Sequence, residues 1–322
     1  MSSPTANSAS LLLRVAPILG LGALIAAPFI GLYPVFMMKA LCFAIFACAF
    51  NLLLGFTGLL SFGHAAYLGA AAYGTGWLVR TAGWSPELGV LGGTLLAAAI
   101  GGVVGLIAIR RQGIYFAMIT LAMAQMIYFV WLQAPFTGGE DGLQGVPRGA
   151  LFGLLPLAND TVLYFVVLAV FVAVYLFVIR VVHSPYGQIL KAIRENEPRA
   201  ISLGYDVDRY KLLAFVLSTG LAGLAGSMKT LVLGFATLSD AHWSLSGEVV
   251  LMTLLGGMGT FFGPFVGAAV FLYLEDVVTT LTRHWMAVVG TIFMVFILFF
   301  PRGIWGSLVA RWERATTPSV PT

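Results

Sequence analysis

Long apolar runs recur along almost the whole chain and are separated by short stretches rich in glycine, proline and charged residues. Each run is close to the roughly 20 residues that a helix needs to cross about 30 Å of hydrocarbon. Strands of a membrane barrel would instead alternate polar and apolar positions, so the pattern predicts spanning helices. The predicted spans are residues 12–32, 36–54, 59–79, 88–109, 114–132, 161–182, 211–233 and 285–300.

The segment 246–278 departs from this pattern because "GGMGTFFGPF", residues 256–265, interrupts it. The glycines and the proline of this stretch oppose a continuous helix. We predict two short membrane segments here, which brings the total to about ten. The sequence therefore predicts an all-α integral membrane protein that includes short or broken helices.

Composition agrees with this fold class. Apolar residues make up 60% of the chain and the mean hydropathy is +0.96, more than a soluble core of this length needs. A net charge of +4 fits loops that face anionic lipid, so we expect no nucleic-acid binding. The first apolar run is too long for a secretory signal. Cys42 and Cys48 lie inside one predicted span and are expected to be core residues.

The basic residues predict the orientation in the membrane. If the N-terminus is cytoplasmic, most of the 17 lysines and arginines also face the cytoplasm, as the positive-inside rule expects. The loop between the fifth and sixth spans then forms a compact cap on the outer side. The predicted parts are cytoplasmic tails at 1–10 and 303–322, one transmembrane domain at 11–302, an outer loop at 133–160 and a cytoplasmic segment at 183–210.

That cytoplasmic segment carries most of the chain's unusual charge. Charged residues form only 9% of the sequence, yet bases and acids crowd together between Arg180 and Lys211. Ile189, Leu190 and Ile193 fall on one helical face, which makes the helix amphipathic. We predict that Pro185 starts this helix, that Pro198 ends or kinks it, and that a second short turn closes on Gly204. The helix could lie on lipid headgroups or dock into a protein, and the mixed charges favour docking.

Small residues recur every three to four positions in "NLLLGFTGLLSFGHAAYLGAAAYGTG", residues 51–76. Such residues permit close helix packing, and the glycines also permit a broken or re-entrant helix. His64 in this stretch could contact a substrate or form a hydrogen bond to a neighbouring helix as a neutral side chain.

Lys229 lies deep in a predicted span, so it should either extend to the outer interface or pair with Glu248 beside a polar vestibule. Thr219 and Ser227 should form hydrogen bonds within their own helix. The residues we predict to line a pathway or to pack helices are Gly58, Ser61, His64, Thr219, Lys229, Glu248, Gly256 and Gly257.

Several motifs are absent from the sequence. It has no G-x-x-x-x-G-K-[ST] phosphate loop, so we expect no ATPase site of that type in this chain. The four histidines lack metal-ligand spacing, and neither H-E-x-x-H nor G-x-S-x-G occurs, which argues against an intramembrane hydrolase. Few acids lie in mid-span, so an ion-coupled carrier or channel is the weaker alternative.

Five stretches occur in an order that resembles a known family. They are "NLLLGFTGLLSFGHAAYLGAAAY" (51–73), "RRQGIYFAMITLAMAQMI" (110–127), "TGGEDGLQGVP" (137–147), the charged segment with its following helix (184–228) and "LLGGMGTFFGPFVGAA" (254–269). Together they resemble the permease subunits of branched-chain amino-acid ABC importers, most closely the longer of the two paralogous permeases in that system.

The resemblance implies a fold like that of the ribose and vitamin B12 importers, in a bacterial inner membrane. It also implies four kinds of partner: the lipid bilayer, a paralogous permease, two ATPase subunits that use ATP and Mg²⁺, and a periplasmic binding protein. No catalytic residue, metal or cofactor is expected in this chain. Branched-chain amino acids are the implied substrates, and urea, short amides or aromatic acids are the alternatives within the family.

In such importers a cytoplasmic coupling helix sits in a groove of the ATPase, and the resemblance assigns that role to residues 184–204. The charged residues up to Arg199 are the predicted contact region. The coupling residues carried over are Ser184, Pro185, Gly187, Lys191, Ala192, Arg194, Glu195, Glu197 and Gly204.

Overall fold

The computed structural model describes residues 20–31, 33–300 and 303–308. The predicted N-terminal tail, the first part of the first span and most of the predicted C-terminal tail lie outside the described residues. The helices are α1 (Gly20–Phe29), α2 (Pro34–Thr57), α3 (His64–Arg80), α4 (Pro86–Ala108), α5 (Ile114–Gln133), α6 (Asp160–His183), α7 (Pro185–Glu195), α8 (Glu197–Ser202), α9 (Val207–Leu233), α10 (Trp243–Gly256), α11 (Gly263–Leu281) and α12 (Trp285–Phe299).

Helices account for nearly all the regular structure of the described residues, as the sequence predicts. By length and composition, seven helices could cross a membrane: α2, α4, α5, α6, α9, α11 and the one that begins at Trp285. Helices α1 and α10 are apolar but shorter. The described strands form one small antiparallel hairpin, in which Ala150–Leu151 pairs with Leu155–Pro156. The chain is therefore an all-α membrane protein.

Helix α2 lies at the centre of the bundle. Its residues 41–53 are all buried, and α6, α9, α10 and α11 pack around it. A helix that is apolar on every side is stable only where other helices surround it. Cys42 and Cys48 are buried free cysteines in this helix, which confirms that they are core residues. Apolar side chains on the outside of the bundle, such as Leu95, remain exposed, as expected for a surface that faces lipid.

Glycines allow α9 to pack closely against α3 and α4. A Cβ atom on Gly226 would lie 2.1 Å from the carbonyl oxygen of Leu68, and one on Gly101 would lie 2.0 Å from Thr219 Oγ1. Thr219 donates to the carbonyl oxygen of Val216 at 3.1 Å, so it bonds within its own helix as predicted. These contacts are typical of membrane helices that associate through small residues.

The predicted span 59–79 begins later than expected, because α3 starts at His64. Gly58 has a φ of +78° and ends α2, and the chain from there to Gly63 is not helical. Side-chain hydroxyls form hydrogen bonds with two backbone N–H groups of this stretch. Ser61 Oγ accepts from the Gly63 N–H at 3.3 Å, and Thr120 Oγ1 of α5 accepts from the Phe62 N–H at 3.2 Å. The broken-helix alternative is therefore correct for this segment.

The interruption predicted within 246–278 is also present. Helix α10 ends at Gly256 and α11 begins at Gly263. Gly257 has a φ of +118°, a left-handed conformation that side chains disfavour. A Cβ atom on Gly256 would lie 1.9 Å from the carbonyl oxygen of Gly263, so the two helices meet backbone to backbone at this break.

The loop between α5 and α6 is compact, as predicted, and packs on the C-terminal end of α9. Leu143 and Ala236 exchange two backbone hydrogen bonds of 2.9 Å. Arg148 forms an ion pair with Asp160 at 2.6 Å and also donates to the carbonyl oxygen of Val232 at 2.8 Å. The acids of the "TGGEDG" turns, Glu140 and Asp141, are exposed.

Candidate functional site

The charged segment folds into two short helices, α7 and α8, after the end of α6. Ser184 caps α7 by accepting from the Gly187 N–H at 3.3 Å, and Pro185 is its first residue, as predicted. A Cβ atom on Gly187 would lie 2.4 Å from the carbonyl oxygen of Val182, so Gly187 lets α7 pack against α6. Leu190 and Ile193 are buried and Ile189 is half-buried beside Ile193, which confirms the predicted apolar face.

The prediction that Pro198 ends or kinks the first helix is wrong. Helix α7 ends at Glu195, and Pro198 is the second residue of α8. The side chain of Asn196 caps α8 by accepting from the Arg199 N–H at 3.1 Å. A proline at the start of a helix leaves no hydrogen bond unmade, which explains its position. Gly204, with a φ of +87°, follows the end of α8 as predicted.

Glu197 forms an ion pair and a hydrogen bond with other residues of this chain. Its Oε1 accepts from Lys211 Nζ at 2.6 Å and from Gln112 Nε2 at 2.8 Å, and the Lys211 side chain is only 3% exposed. Removing one partner of a buried ion pair is strongly destabilising, so this contact fixes α8 to α9. Nearby, the Tyr186 hydroxyl donates to the carbonyl oxygen of Tyr210 at 2.9 Å, and burial raises the pKa of the Tyr186 phenol.

Arg194 links α7 to the centre of the bundle. Its guanidinium donates to the carbonyl oxygen of Gly55, near the end of α2. In the same place, Asn51 donates to the carbonyl oxygen of Thr260 and accepts from the Gly259 N–H, both at 2.9 Å. We call these five residues the Arg194 junction. It joins α7, the end of α2 and the break between α10 and α11.

Gly58 lies directly beside this junction. A Cβ atom on Gly58 would lie 3.1 Å from Cγ of Arg194, and one on Gly259 would lie 3.5 Å from the Arg194 Nη1 atom. The side chain of Arg194 therefore passes between two glycines to reach the α2 backbone. The sequence predicted that Arg194 contacts another subunit. It did not identify Asn51 as a functional residue, because nothing in the sequence distinguishes Asn51 from other residues of its helix.

Several other residues of α7 and α8 are exposed. Lys191 is half-buried, whereas Ala192, Glu195 and Arg199 are exposed. Two apolar side chains are exposed beside them, Ile201 at 57% and Leu203 at 69%. We call the exposed set Ala192, Glu195, Arg199, Ile201 and Leu203 the α7–α8 surface. The apolar residues Ile201 and Leu203 lie within a polar segment of the sequence, and this feature could have predicted the surface.

His64 is fully buried in the bundle. Ser218 Oγ donates its only proton to the carbonyl oxygen of Ala49 at 2.6 Å. His64 Nε2 lies 2.8 Å from Ser218 Oγ, so Nε2 must carry the proton of this second hydrogen bond and donate it to Ser218. The rings of Phe50 and Phe215 meet His64 edge-on. Of the two roles predicted for His64, the structure supports the second, in which a neutral histidine forms a hydrogen bond to a neighbouring helix.

The expectation that Lys229 extends to the outer interface is wrong. Its side chain is 11% exposed and pairs with Asp240, on the short 3₁₀ turn Leu238–Ala241, rather than with Glu248. Ser227 also differs from the prediction, because it accepts from Thr75 of α3 at 2.7 Å. The described residues contain no group of three or more histidines, cysteines or acids that could hold a metal ion.

The predicted site residues therefore fall into separate groups. Gly58, Gly256 and Gly257 lie at the breaks near α7, whereas Ser61, His64 and Thr219 are buried packing residues. Lys229 and Glu248 belong to another part of the bundle, on α9 and α10.

The chain is similar to permease proteins of several transport systems. The chain is 27% identical over 288 residues to the high-affinity branched-chain amino acid transport system permease protein LivM of Escherichia coli K12, covering 81% of this chain and 67% of LivM. It is 25% identical over 198 residues to the probable branched-chain amino acid transport permease protein LivM of Methanocaldococcus jannaschii, covering 56% of this chain and 54% of that protein.

A third relative has another named substrate. The autoinducer 2 import system permease protein LsrC of Klebsiella pneumoniae is 30% identical over 194 residues, covering 58% of this chain and 53% of LsrC. No solved structure gives a significant match. Residues 34–298 match the family described as branched-chain amino acid transport system / permease component. The chain belongs to this family and is the membrane permease subunit of an ABC importer, which leaves ATP hydrolysis to partner subunits.

Proposed function

We propose that the chain forms half of the translocation pathway for branched-chain amino acids, paired with a related second permease. A periplasmic binding protein delivers the amino acid, and two ATPase subunits supply the energy. The names of the relatives support this substrate class: the match to LivM of E. coli covers 81% of the chain, against 58% for LsrC. The LsrC match also shows that substrates differ among related permeases.

The α7–α8 surface is the proposed contact with the ATPase subunit. It offers charges of both signs, Glu195 and Arg199, beside the exposed apolar side chains of Ile201 and Leu203. Exposed apolar side chains together with charges of both signs are typical of protein interfaces, whereas a helix that lies on anionic lipid is expected to present mainly bases. This combination is the observation that carries the proposal.

The Arg194 junction would transmit movement of α7 into the bundle. Arg194 ties α7 to the α2 backbone, and Asn51 of α2 holds the break between α10 and α11. A displacement of α7 therefore acts on three membrane helices together. ATP-driven transport requires the ATPase to interact differently with two states of the permease, and this junction offers a route between the interface and the helices.

Copurification tests the proposed contact. In the assembled complex, Ile201→Asp combined with Arg199→Glu should reduce recovery of the ATPase subunits at least tenfold, because it places a charge at an exposed apolar position and reverses a second charge. The matched control is Glu140→Lys, which changes an exposed residue in the loop at the opposite end of α9. Normal ATPase recovery with the double variant would show that the subunits meet elsewhere.

Substrate choice is tested on the partner binding protein. Calorimetry with leucine, urea and benzoate should show submillimolar binding of leucine alone. Urea or benzoate binding in place of leucine would move the importer to an alternative substrate class. Leucine flux through the isolated chain in liposomes, without ATPase subunits, would instead support a channel or carrier.

A further inference from the structure

A cavity of about 240 Å³ lies between the end of α4 and the start of α9. We call it the α4–α9 cavity. It shares no lining residue with the α7–α8 surface or the Arg194 junction, so the proposed transport mechanism does not account for it. Its charged lining residues are Arg110, Asp206, Asp208 and Arg209.

The cavity lies where two membrane helices end. Helices α4 and α9 are both long and apolar enough to cross a membrane, and the charged lining residues stand at or just beyond their ends. A Cβ atom on Gly105 would lie 2.8 Å from Cδ1 of Leu212, so the helices touch closely beside the cavity. The cavity therefore opens at the membrane surface, on the cytoplasmic side in the proposed topology.

The charges of the lining balance. Two arginines face two aspartates, and Arg209 Nε forms an ion pair of 2.7 Å with Asp206 Oδ2. All four side chains are exposed, so a ligand can reach them from outside the bundle. A lining with both signs and no net charge suits a ligand that is itself zwitterionic.

The cavity also continues into an apolar surface of α4. Leu106 lines the cavity and is exposed, and Val103 and Ile107, three residues before and one after it, are exposed as well. Such side chains at the end of a spanning helix contact hydrocarbon. A ligand that fits both parts has a charged head and an apolar tail, as a phospholipid does.

The side-chain chemistry selects among phospholipids. Guanidinium groups bind phosphate oxygens through several N–H donors, and carboxylates accept hydrogen bonds from a primary ammonium. Phosphatidylethanolamine carries both groups. The quaternary ammonium of phosphatidylcholine has no N–H to donate, and the net negative charge of phosphatidylglycerol would be repelled by the two aspartates.

We propose that the α4–α9 cavity binds the headgroup of one phosphatidylethanolamine molecule. Arg110 and Arg209 bind the phosphate, Asp208 accepts from the ammonium, and an acyl chain lies along Leu106 and Val103. This inference goes beyond the proposed function, because it does not depend on which substrate the importer carries.

Native mass spectrometry of the complete importer tests the site. The complex is purified in detergent and incubated with equal amounts of phosphatidylethanolamine, phosphatidylglycerol and phosphatidylcholine. The wild type should retain one phosphatidylethanolamine more than Arg110→Gln, with equal retention of the other two lipids. Asp208→Asn gives the lining a net positive charge, so it should lose the same phosphatidylethanolamine and retain one more phosphatidylglycerol. Arg111→Gln changes an exposed arginine outside the lining and should match the wild type.

Several results would overturn the proposal. Equal phosphatidylethanolamine retention by the wild type and Arg110→Gln would refute the site, and loss of phosphatidylglycerol instead would show an anionic-lipid site. Loss of ATPase subunits from Arg110→Gln without loss of lipid would show that a protein covers the cavity. Displacement of the lipid by glycerophosphoethanolamine, which has no acyl chains, would show a site for soluble headgroups. If Arg110→Gln does not assemble, Asp208→Asn decides by the same criteria.

Discussion

Lys229 and Asp240 form a buried ion pair, so a change at either residue should affect stability strongly. Removing one partner of a buried ion pair leaves an uncompensated charge, at a cost of about 3–5 kcal/mol. We therefore expect Asp240→Leu to lower the thermal unfolding midpoint in detergent strongly, and the double variant with Lys229→Met to recover much of that loss. Strictly additive effects of the two changes would contradict a direct interaction between them.

Close helix contact at Gly226 gives a second prediction. Its Cβ position would lie 2.1 Å from the Leu68 carbonyl oxygen, so Gly226→Ala must push α9 away from α3, at a cost of about 1–3 kcal/mol. Gly247→Ala is the matched control, since nothing lies within 4 Å of its Cβ position. Thermal unfolding should separate the two variants. Equal midpoints would argue against tight packing of these helices.

Sequence reasoning at this scale identified unusual residues but seldom their partners. Lys229 was conspicuous as a charge in an apolar run, whereas Asp240 lies in a polar stretch where an acid is unremarkable. Their pairing depends on how the chain folds back through the 3₁₀ turn after α9. In the same way, Arg194 and Glu197 resembled surface charges until the positions of Gly55 and Lys211 were known.

At the scale of helices, the link between α2 and the α10–α11 break yields a third prediction. Asn51→Leu removes two hydrogen bonds, each contributing about 1 kcal/mol, to the backbone of residues 259 and 260. We expect the complex to assemble and hydrolyse ATP but to transport leucine at least fivefold more slowly. Asn159→Ala removes a comparable side-chain bond at the start of α6 and is the control. Equal transport by both variants would contradict the role of this link.

Helix starts and breaks were the most predictable elements. Ser184 and Pro185 start α7 because a side-chain cap and a fixed φ favour that position, and glycines end α2 and α10. The late start of α3 was less predictable. Residues 59–63 are as apolar as a membrane helix requires. Their non-helical backbone depends on hydrogen bonds from neighbouring side chains such as Thr120, which the sequence does not reveal.

At the scale of the whole molecule, the proposed orientation can be measured by cysteine labelling. Cys42 and Cys48 are buried, so a membrane-impermeant maleimide should react only with an introduced cysteine. Gln144→Cys, in the exposed loop, should be labelled from the outer face. Ser202→Cys, on α8, should be labelled only in inverted vesicles. Labelling of both from one side would contradict the proposed topology.

The overall architecture was largely predictable because the bilayer fixes helix length and polarity. The sequence did not predict which helix lies at the centre, because α2 and the lipid-facing helices are about equally apolar. Burial of α2 on all sides depends on the packing of α6, α9, α10 and α11.

ATP-driven uptake by the reconstituted importer tests the central claim most directly. With the wild-type chain, leucine should accumulate in proteoliposomes only when ATP and the ATPase subunits are present. Arg194→Ala should leave the complex assembled and hydrolysing ATP, but lower the leucine transported per ATP hydrolysed at least tenfold, because it disconnects α7 from α2. An unchanged ratio for Arg194→Ala, or leucine uptake without ATPase subunits, would contradict the account.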